Sequence, residues 1–230
     1  MEGALTTTPL REAGAKEWIA KYGIQTPARR ETRTVDEAVC ALGSLRAPVV
    51  VKLISQALHK SDVGGVRLGI QNPAGLRDAI AEIDRAAAER RIGVEGYLIE
   101  EMAPRGVEVL VGGIVDPVFG PAVVVGIGGV FTEVLDDVAA GICPIRADDA
   151  LEMIRETKVS RLLRGVRGQP AADVDALVQV LLALGGPRGI MMDPSRRIRE
   201  IDLNPVIVSP HGAVAVDARI ILRENADNDA

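Results

Sequence analysis

The sequence predicts an α+β (mixed α/β) fold, because helix-period segments alternate with short runs of β-branched residues. Residues 73–92 carry the clearest helical pattern, and residues 49–54 form a continuous apolar run that is typical of a buried strand. Most other apolar runs are short and separated by glycine or proline, which favours hairpins. A soft junction near residues 90–94 divides the chain into two candidate lobes.

The individual elements follow from the same periodicities. The predicted helices span residues 10–22, 35–45, 73–92, 148–157 and 173–184. The second of these has Asp36 and Glu37 in its first turn, where the helix dipole favours acidic side chains. The predicted strands span residues 49–54, 96–100, 107–114, 121–125, 199–208 and 214–218, with a possible continuation over 130–134. Pro205 has no N–H for a sheet ladder, so an edge or an end of the sheet is expected there.

Composition restricts the partners and the compartment. Of the 230 residues, 47% are hydrophobic and 26% charged, as in ordinary soluble globular proteins. With 2% aromatic residues and a net charge of -5, we expect no nucleic acid partner. We also expect no membrane partner, because no apolar run reaches spanning length and the first ten residues lack the pattern of a signal peptide. Cys40 and Cys143 show neither metal spacing nor a disulfide framework, which favours a reducing cytoplasm.

Two neighbouring segments carry groups suited to phosphate. Lys52 lies in an apolar strand, so its ammonium needs either a phosphate or a path to solvent. In the segment HKSDVGGVR, the paired glycines Gly64 and Gly65 allow backbone amides to approach a phosphate closely. His59 could accept a phosphoryl group, because neutral imidazole is a nucleophile near physiological pH. A Gly-Gly hairpin turn beside a surface histidine explains the same segment without a ligand.

Glutamates flank the turn at residues 104–106. If that turn joins two paired strands, Glu100 and Glu108 come to one edge of a cleft, where carboxylates can hold ribose hydroxyls. The simpler interpretation of Glu100, Glu101 and Glu108 is a solvated strand end.

A further polar cluster lies near the carboxyl end of the chain. Strand alternation places Glu200, Asp202 and Asn204 on one face, and Asp217 follows another apolar run. Oxygen ligands on neighbouring strands suit Mg²⁺, which takes one or two protein carboxylates plus phosphate oxygens. A polar sheet face with Asn-Pro as a turn is the alternative.

Other catalytic signatures are absent from the sequence. The glycine-rich stretch 126–129 is not G-x-G-x-x-G and precedes no clear helix, and there is no Walker-A pattern. G-x-S-x-G is also missing, and His59 and His211 are the only histidines. Dinucleotide-binding, serine hydrolase and zinc hydrolase interpretations are therefore poor.

Taken in order, these clusters resemble the ATP-grasp β subunit or domain of nucleoside-diphosphate-forming acyl-CoA synthetases, including ADP-forming acetate–CoA ligases, and more distantly the β subunit of succinyl-CoA synthetase. The matching stretches are VVVKLIS, LHKSDVGGVRLGI, LIEEMAPRGVEVLVG, FGPAVVVGIGGVFTEVLDDV, EIDLNPVIV and AVDARI. The resemblance implies an ATP-grasp fold in which two α/β lobes clasp a nucleotide between them. The main lobe would comprise about residues 1–25 and 95–230, and the smaller lobe about residues 26–94.

The resemblance also implies roles for individual residues. The nucleotide-binding residues would be Lys52 at the α/β-phosphates, Gly64, Gly65 and Val66 in the loop over the phosphates, Glu100 in the linker that reads the adenine, and Glu108 at the ribose. Asn204 and Asp217 would ligate Mg²⁺, with Asp202 close by and needed for phosphate transfer. His59 would relay phosphate between a partner phosphohistidine and the nucleotide, and Glu133 would be a secondary site residue.

The reaction implied by the resemblance is carboxylic acid + CoA + ATP giving acyl-CoA + ADP + phosphate, with ATP/ADP and Mg²⁺ bound by this chain. The sequence contains no CoA-binding domain, so a CoA-binding α-type subunit is implied, in an α₂β₂ heterotetramer, which would supply the sites for CoA and the small carboxylic acid. The chain differs from many relatives in having Gly141 where they carry arginine, and in the segment 185–197.

Two other functions are compatible with parts of this pattern. Another ATP-grasp carboxylate ligase would share the lysine, glutamate and asparagine positions but would not need His59. A non-catalytic nucleotide-binding regulatory subunit would accommodate Gly141, although the presence of His59, Asp202 and Asp217 would then be unexpected.

Overall fold

The computed structural model describes residues 7–55, 64–129, 137–165, 168, 170–193 and 198–223. Residue contacts divide the chain into two units. Unit 1 comprises Met1–Thr26 and Pro104–Ala230, and unit 2 comprises Pro27–Ala103. His59 and Glu133 lie outside the described residues, as does the strand continuation expected over 130–134.

Helices and strands are interspersed along the chain, as the mixed α/β prediction requires. The helices are α1 (Glu12–Ala20), α2 (Val35–Leu42), α3 (Pro73–Glu89), α4 (Ala147–Glu156), α5 (Val159–Leu163) and α6 (Val174–Gly185). The strands are β1 (Thr7–Pro9), β2 (Arg29–Thr32), β3 (Val49–Ile54), β4 (Val66–Ile70), β5 (Gly96–Glu101), β6 (Val107–Asp116), β7 (Gly120–Ile127), β8 (Val138–Ile142), β9 (Ile198–Ser209), β10 (Gly212–Ala215) and β11 (Arg219–Arg223).

Unit 1 is built on an antiparallel sheet with the strand order β1-β11-β9-β6-β7-β8, and β10 pairs with β9 beyond the end of β11. Alternate residues of the central strands, such as Val111, Val123 and Leu203, are fully buried. They form one hydrophobic cluster with residues of α4–α6, including Leu163 and Leu181. Because strand side chains alternate, the other residues of these strands line the opposite face of the sheet.

Unit 2 has its own antiparallel sheet, with the strand order β2-β5-β3-β4. Leu53 and Ile99 from this sheet pack with Leu76, Ile80 and Ile83 of α3 in a separate hydrophobic cluster. The predicted helix over 73–92 is confirmed with slightly shorter bounds. Asn72 caps its start, accepting a hydrogen bond on Oδ1 from the Gly75 N–H at 2.9 Å, because the first N–H groups of a helix lack partners in the helix itself.

The prediction of a sheet edge or end at Pro205 is wrong, because β9 has partners on both sides. β6 pairs along one side, while β11 pairs up to Asp202 and β10 from Val206 on the other. Pro205 lies where this second partner changes, and the register toward β6 shifts nearby between Val109 and Val111. A proline without an N–H is tolerated there because a bulge already interrupts the ladder.

The strand predicted over 214–218 is also corrected. β10 ends at Ala215 and β11 begins at Arg219, so residues 216–218, including Asp217, form a short connection. Strand β2 was missed because its sequence, Arg-Arg-Glu-Thr, has one buried residue and no apolar alternation. Strand β2 pairs with β5 through the backbone, and β5 also pairs with β3. Both β2 and β5 therefore belong to the sheet of unit 2, and the chain leaves this unit after β5.

Within the part of the chain that the structure describes, one segment is apolar enough to cross a membrane by length and composition alone. Val174–Met192 has a mean hydropathy of 1.3, but 56% of it is buried inside the protein. Its helix α6 has 12 residues and ends at Gly185, a length of only about 18 Å at 1.5 Å per residue. Leu177, Leu181 and Leu184 of this helix lie in the core of unit 1, which explains its apolar character.

Candidate functional site

Strand β9 presents its polar residues on the face opposite to the helices of unit 1. Ile201 and Leu203 are buried in the core, whereas Asp202 and Asn204 are half-buried and alternate with them. Asp202 lies between Gly112 of β6 and Arg219 of β11 in the sheet register. Paired residues on antiparallel strands share a face, so Asp202 and Arg219 lie side by side.

Asp217 is brought to this face by the register of two different strands. Val206 is opposite Ala215 of β10, and Asp202 is opposite Arg219 of β11. Counting two residues inward from either pair places Asp217 opposite Asn204. The Val216 N–H donates to the Pro205 carbonyl at 3.1 Å, which fixes this pairing at the neighbouring residues. The structure therefore brings together Asn204, Asp217 and Asp202, which are separate in the sequence.

The glycine-rich stretch after β7 closes around the same residues. The Gly129 N–H donates to Asn204 Oδ1 at 2.9 Å, and the Gly128 N–H donates to the Glu108 carbonyl at 3.0 Å. A Cβ at Gly129, where φ is +67°, would overlap the carboxylate of Glu108. A Cβ at Gly128 would lie 2.6 Å from the Val109 carbonyl carbon. Only glycine permits this close approach, so the stretch belongs to the site although it matches no dinucleotide fingerprint.

Arg219 also lies on this face, although no sequence motif assigns it a role. Its Nε atom is buried and has no hydrogen-bond partner in the described part of the chain. Buried polar atoms without a partner are uncommon in folded proteins. Its position beside Asp202 and two residues after Asp217 adds a cation to an otherwise acidic cluster.

The donors on this face fit a magnesium ion. Asn204 and Asp217 supply amide and carboxylate oxygens, the hard ligands that Mg²⁺ prefers. Asp217 Oδ1 accepts a hydrogen bond from the Ala218 N–H at 2.8 Å, which orients the carboxylate. Within the described ranges no group of three or more His, Cys, Asp or Glu side chains could hold a metal by itself. That is compatible with Mg²⁺, which usually combines one or two carboxylates with waters and substrate phosphates.

In unit 2, Lys52 and Glu100 form a buried ion pair. Lys52 Nζ lies 3.0 Å from Glu100 Oε2, and the side chains are 9% and 2% exposed. Lys52 therefore does not snorkel to the surface. Glu100 and Glu108 do not meet on paired strands, because β5 pairs with β2 and β3 whereas β6 pairs with β7 and β9. The expectation that paired strands on either side of the turn bring Glu100 and Glu108 together is wrong.

Gly64, Gly65 and Val66 lead into β4 at its contact with β3. The Gly65 carbonyl accepts from the Leu53 N–H at 2.7 Å, and Val66 is opposite Lys52. Gly64 has φ +70°, a conformation that favours glycine. The Arg67 guanidinium donates to the carbonyls of Gly64 and Val66 at 2.8 and 2.9 Å, so those oxygens are occupied by an arginine.

Gly141 lies on the helix side of the unit 1 sheet. It pairs with Val123 of the core, and a Cβ there would lie 2.8 Å from Met153 Sδ and 3.1 Å from Ile145 Cγ2. A side chain at this position would point toward α4, on the opposite face from Asp202. The departure at Gly141 is therefore separated from the polar cluster by the sheet.

Comparison with known proteins identifies the class to which this fold and these residues belong. The ATP-grasp domain family matches residues 4–222, so the chain belongs to the ATP-grasp family. It is 42% identical over 217 residues to acetate–CoA ligase (ADP-forming) I subunit beta of Pyrococcus furiosus, covering 93% of this chain and 92% of that protein. It is also 41% identical to acetate–CoA ligase (ADP-forming) I of Archaeoglobus fulgidus, covering 90% of this chain and 30% of that longer protein.

Solved structures agree with this assignment. Ca. Korarchaeum cryptofilum dinucleotide forming acetyl-coenzyme A synthetase 1, in complex with coenzyme A, Ca-AMPCP and HgCl+, has a TM-score of 0.87 and 41% identity, covering 94% of this chain and 93% of that chain. A second structure of that protein, with coenzyme A and Mg-AMPPCP, has its phosphohistidine segment pointing towards the nucleotide binding site. Its TM-score is 0.78 at 40% identity, with the same coverage.

Substitution of the two neighbouring glutamates of β5, Glu100 and Glu101, should change the stability of the protein to different extents. Replacing Glu100 by glutamine removes the carboxylate charge 3.0 Å from the buried Lys52 ammonium and should lower the free energy of unfolding by about 3 kcal/mol. Glu101→Gln is the matched control, because the Arg46 partner of Glu101 is 90% exposed and water screens that pair. Urea unfolding followed by circular dichroism measures both. Equal midpoints for the two variants would contradict a buried, energetically important Lys52–Glu100 pair.

Proposed function

We propose that this chain is the ATP-binding subunit of an ADP-forming acyl-CoA synthetase, which catalyses carboxylic acid + CoA + ATP giving acyl-CoA + ADP + phosphate. The observation that carries the proposal is the 42% identity, with nearly complete coverage of both chains, to a protein named as the beta subunit of such a ligase. The polar cluster of unit 1 supports it, since Asn204, Asp217 and Asp202 converge although they are distant in sequence.

The residues of unit 1 would hold the metal and the sugar of the nucleotide. Asn204 and Asp217 would ligate Mg²⁺, and Glu108 would accept hydrogen bonds from the ribose hydroxyls. When bound, Mg²⁺ neutralises phosphate oxygens and so favours phosphoryl transfer. Asp202 lies on the same face and would take part in transfer of the phosphoryl group. Arg219 places a positive charge beside Asp202. The Gly129 N–H orients Asn204 through its hydrogen bond.

The residues of unit 2 would hold the phosphates. Lys52 would donate to the α- and β-phosphates, and Glu100 keeps its ammonium in place through the 3.0 Å ion pair. The backbone of Gly64, Gly65 and Val66 would cover the phosphates. Because Arg67 occupies the carbonyls of Gly64 and Val66, those acceptors are tied up away from a phosphate, which they would repel.

His59 would carry the phosphoryl group during turnover. In the direction of ATP formation, a P–N bond on a partner phosphohistidine breaks as a P–N bond forms on His59. The second P–N bond then breaks as the terminal oxygen of ADP forms the new P–O bond. Each step moves one phosphoryl group to one nucleophile, so no oxidant or further reactant is needed. The related structure whose phosphohistidine segment points towards the nucleotide binding site supports such a relay.

A partner subunit follows from the names of the relatives. The Pyrococcus furiosus protein is a beta subunit, and the Archaeoglobus fulgidus relative is a longer chain of which this one covers 30%. We propose that the partner is an α-type subunit that binds CoA and the carboxylic acid, in an α₂β₂ assembly. We further propose a cytoplasmic location, with which the free thiols of Cys40 and Cys143 are compatible.

Titration calorimetry of the purified chain with ADP, with and without Mg²⁺, tests the proposal directly. We expect heat of binding that depends on Mg²⁺, because the phosphates and the metal share ligands. Asp217→Ala should weaken binding in the presence of Mg²⁺ and leave it unchanged without the metal. Absence of ADP binding to the wild-type chain, alone and with its partner, would refute the proposed function. Unchanged titrations of Asp217→Ala would remove that residue from the metal site.

His59→Ala should abolish turnover in the reconstituted enzyme while leaving binding of Mg-ATP intact, because the imidazole carries the phosphoryl group but holds no metal. The control is His211→Ala, since His211 is the only other histidine and is exposed on a turn. The measurements are acyl-CoA formation and trapping of radiolabelled phosphate on the chain. Full activity of His59→Ala, or label retained by it, would exclude the relay.

Gly129→Ala should weaken binding of Mg-ADP by about tenfold or more, the equivalent of one lost positioned contact. The added methyl group overlaps the Glu108 carboxylate at a position where φ is +67°. Gly120→Ala is the matched control, because its φ is +79° but no atom lies within 4 Å of the added Cβ. Calorimetry that shows equal binding by both variants would separate Glu108 and Gly129 from the nucleotide.

A further inference from the structure

A second buried ion pair lies in unit 1, on a helix that contributes no residue to the proposed site. Lys16 Nζ of α1 is 2.7 Å from Glu12 Oε1, and the side chains are 0% and 5% exposed. Lys16 is among the largest fully buried side chains of the described chain. The pair lies one helical turn apart on a face of α1 that also buries Ala13 and Ala15. A charged lysine in such a place has a high desolvation cost and requires an explanation.

The Lys16 ammonium makes a second contact, to the connection that carries Asp217. Nζ donates to the Val216 carbonyl at 2.7 Å, across 200 residues of sequence. Val216 immediately precedes Asp217, and its own N–H donates to the Pro205 carbonyl at 3.1 Å. Helix α1 thus holds the carbonyl oxygen of the peptide between Val216 and Asp217. Strand β9 holds the N–H of the peptide between Ala215 and Val216.

An apolar side chain at position 16 could fill the same volume, but it could not hold a carbonyl oxygen in one orientation. An ammonium has three donors, of which Glu12 and Val216 take two. Glu12 supplies the countercharge that offsets part of the cost of burying the Lys16 ammonium. Residues 216–218 lie outside the strands, and the backbone bond to β9 in this connection runs from the Val216 N–H to the Pro205 carbonyl. The ion pair supplies a restraint at the point where the strand pairing is interrupted.

We infer that the buried Lys16–Glu12 pair is a positioning element for Asp217, and that it sets the affinity of the proposed site for its divalent metal. The inference rests on the proposed function, because it takes Asp217 as a magnesium ligand. In this role Lys16 is a positioning residue that acts on Asp217 through the Val216 carbonyl. Residues that orient metal ligands typically change metal affinity by about 10–100-fold when they are removed.

The principal variant replaces both charges with apolar residues, as Glu12→Leu with Lys16→Met. Exchange of a complete buried ion pair for apolar side chains of similar volume is often neutral for stability, and leucine and methionine favour helix. The single variant Lys16→Met removes the cation 2.7 Å from the buried Glu12 carboxylate and serves as a more severe comparison. Lys21→Met is the matched control, because Lys21 follows the same helix but is exposed.

The measurement is titration calorimetry of Mg²⁺ into each variant at saturating ADP, beside ADP binding without metal and thermal unfolding. We expect the double variant to melt as the wild type does and to bind ADP equally without metal, but to bind Mg²⁺ about tenfold or more weakly. The Lys21→Met control should match the wild type in every measurement.

Three outcomes would overturn the inference, and they are distinct from failure of the proposed function. Unchanged Mg²⁺ affinity in a folded double variant would show that the pair does not position the ligand. Equal losses of ADP affinity with and without metal would indicate general damage to unit 1. Unfolding of both Lys16 variants would assign the pair to the fold itself. If wild-type protein shows no Mg²⁺-dependent ADP binding at all, the proposed function fails first.

Discussion

The pairing of β9 on both sides organises unit 1. β6 holds one side of this strand, and β11 followed by β10 holds the other. Since side chains alternate along a strand, this register decides that Leu203 faces the helices and that Asp202 and Asn204 face away. A shift by one residue would exchange the two sets and bury the carboxylate of Asp202 in an apolar core. The strongest constraint on the proposed site is therefore the apolar core on the other side of the sheet.

The partner strand of β9 changes from β11 to β10 near Pro205, and this change places Asp217 beside Asn204. If β10 and β11 were one continuous strand, Asp217 would be an ordinary sheet residue opposite Asn204. Residues 216–218 interrupt the strand, while the flanking registers and the hydrogen bond from the Val216 N–H to the Pro205 carbonyl keep the connection beside β9. A proline next to Asn204 is compatible with that arrangement because its nitrogen has no hydrogen to donate.

Among the described residues, a buried lysine–glutamate pair lies in each unit, Lys16 with Glu12 and Lys52 with Glu100. Such pairs add little net stability, because desolvation offsets the attraction between the charges. Their common property is location, since one contacts the connection before Asp217 and the other lies opposite Val66, after the paired glycines. The exposed Arg46–Glu101 pair shows the contrast: hydrogen bonds from Arg46 lower the pKa of Glu101, yet the arginine side chain remains in water.

The sequence by itself determined the local structure and the chemical groups. Periodicity identified α3 and β3, alternation placed Asp202 and Asn204 on one face, and the order of the motifs indicated an ATP-grasp protein. These properties depend on residues close in sequence, where spacing translates directly into a shared face. The glycines at 128 and 129 were visible in the sequence, but their closeness to Glu108 was not.

Only the tertiary structure decided which distant residues meet. It paired Glu100 with Lys52 rather than with Glu108, and it placed Pro205 inside a sheet. It also buried Lys16 against the Val216 carbonyl. In the sequence, the only indication of this burial is that Lys16 lies among apolar neighbours on α1. Strand partners, registers and bulges are set by contacts across the whole unit, which no local pattern contains.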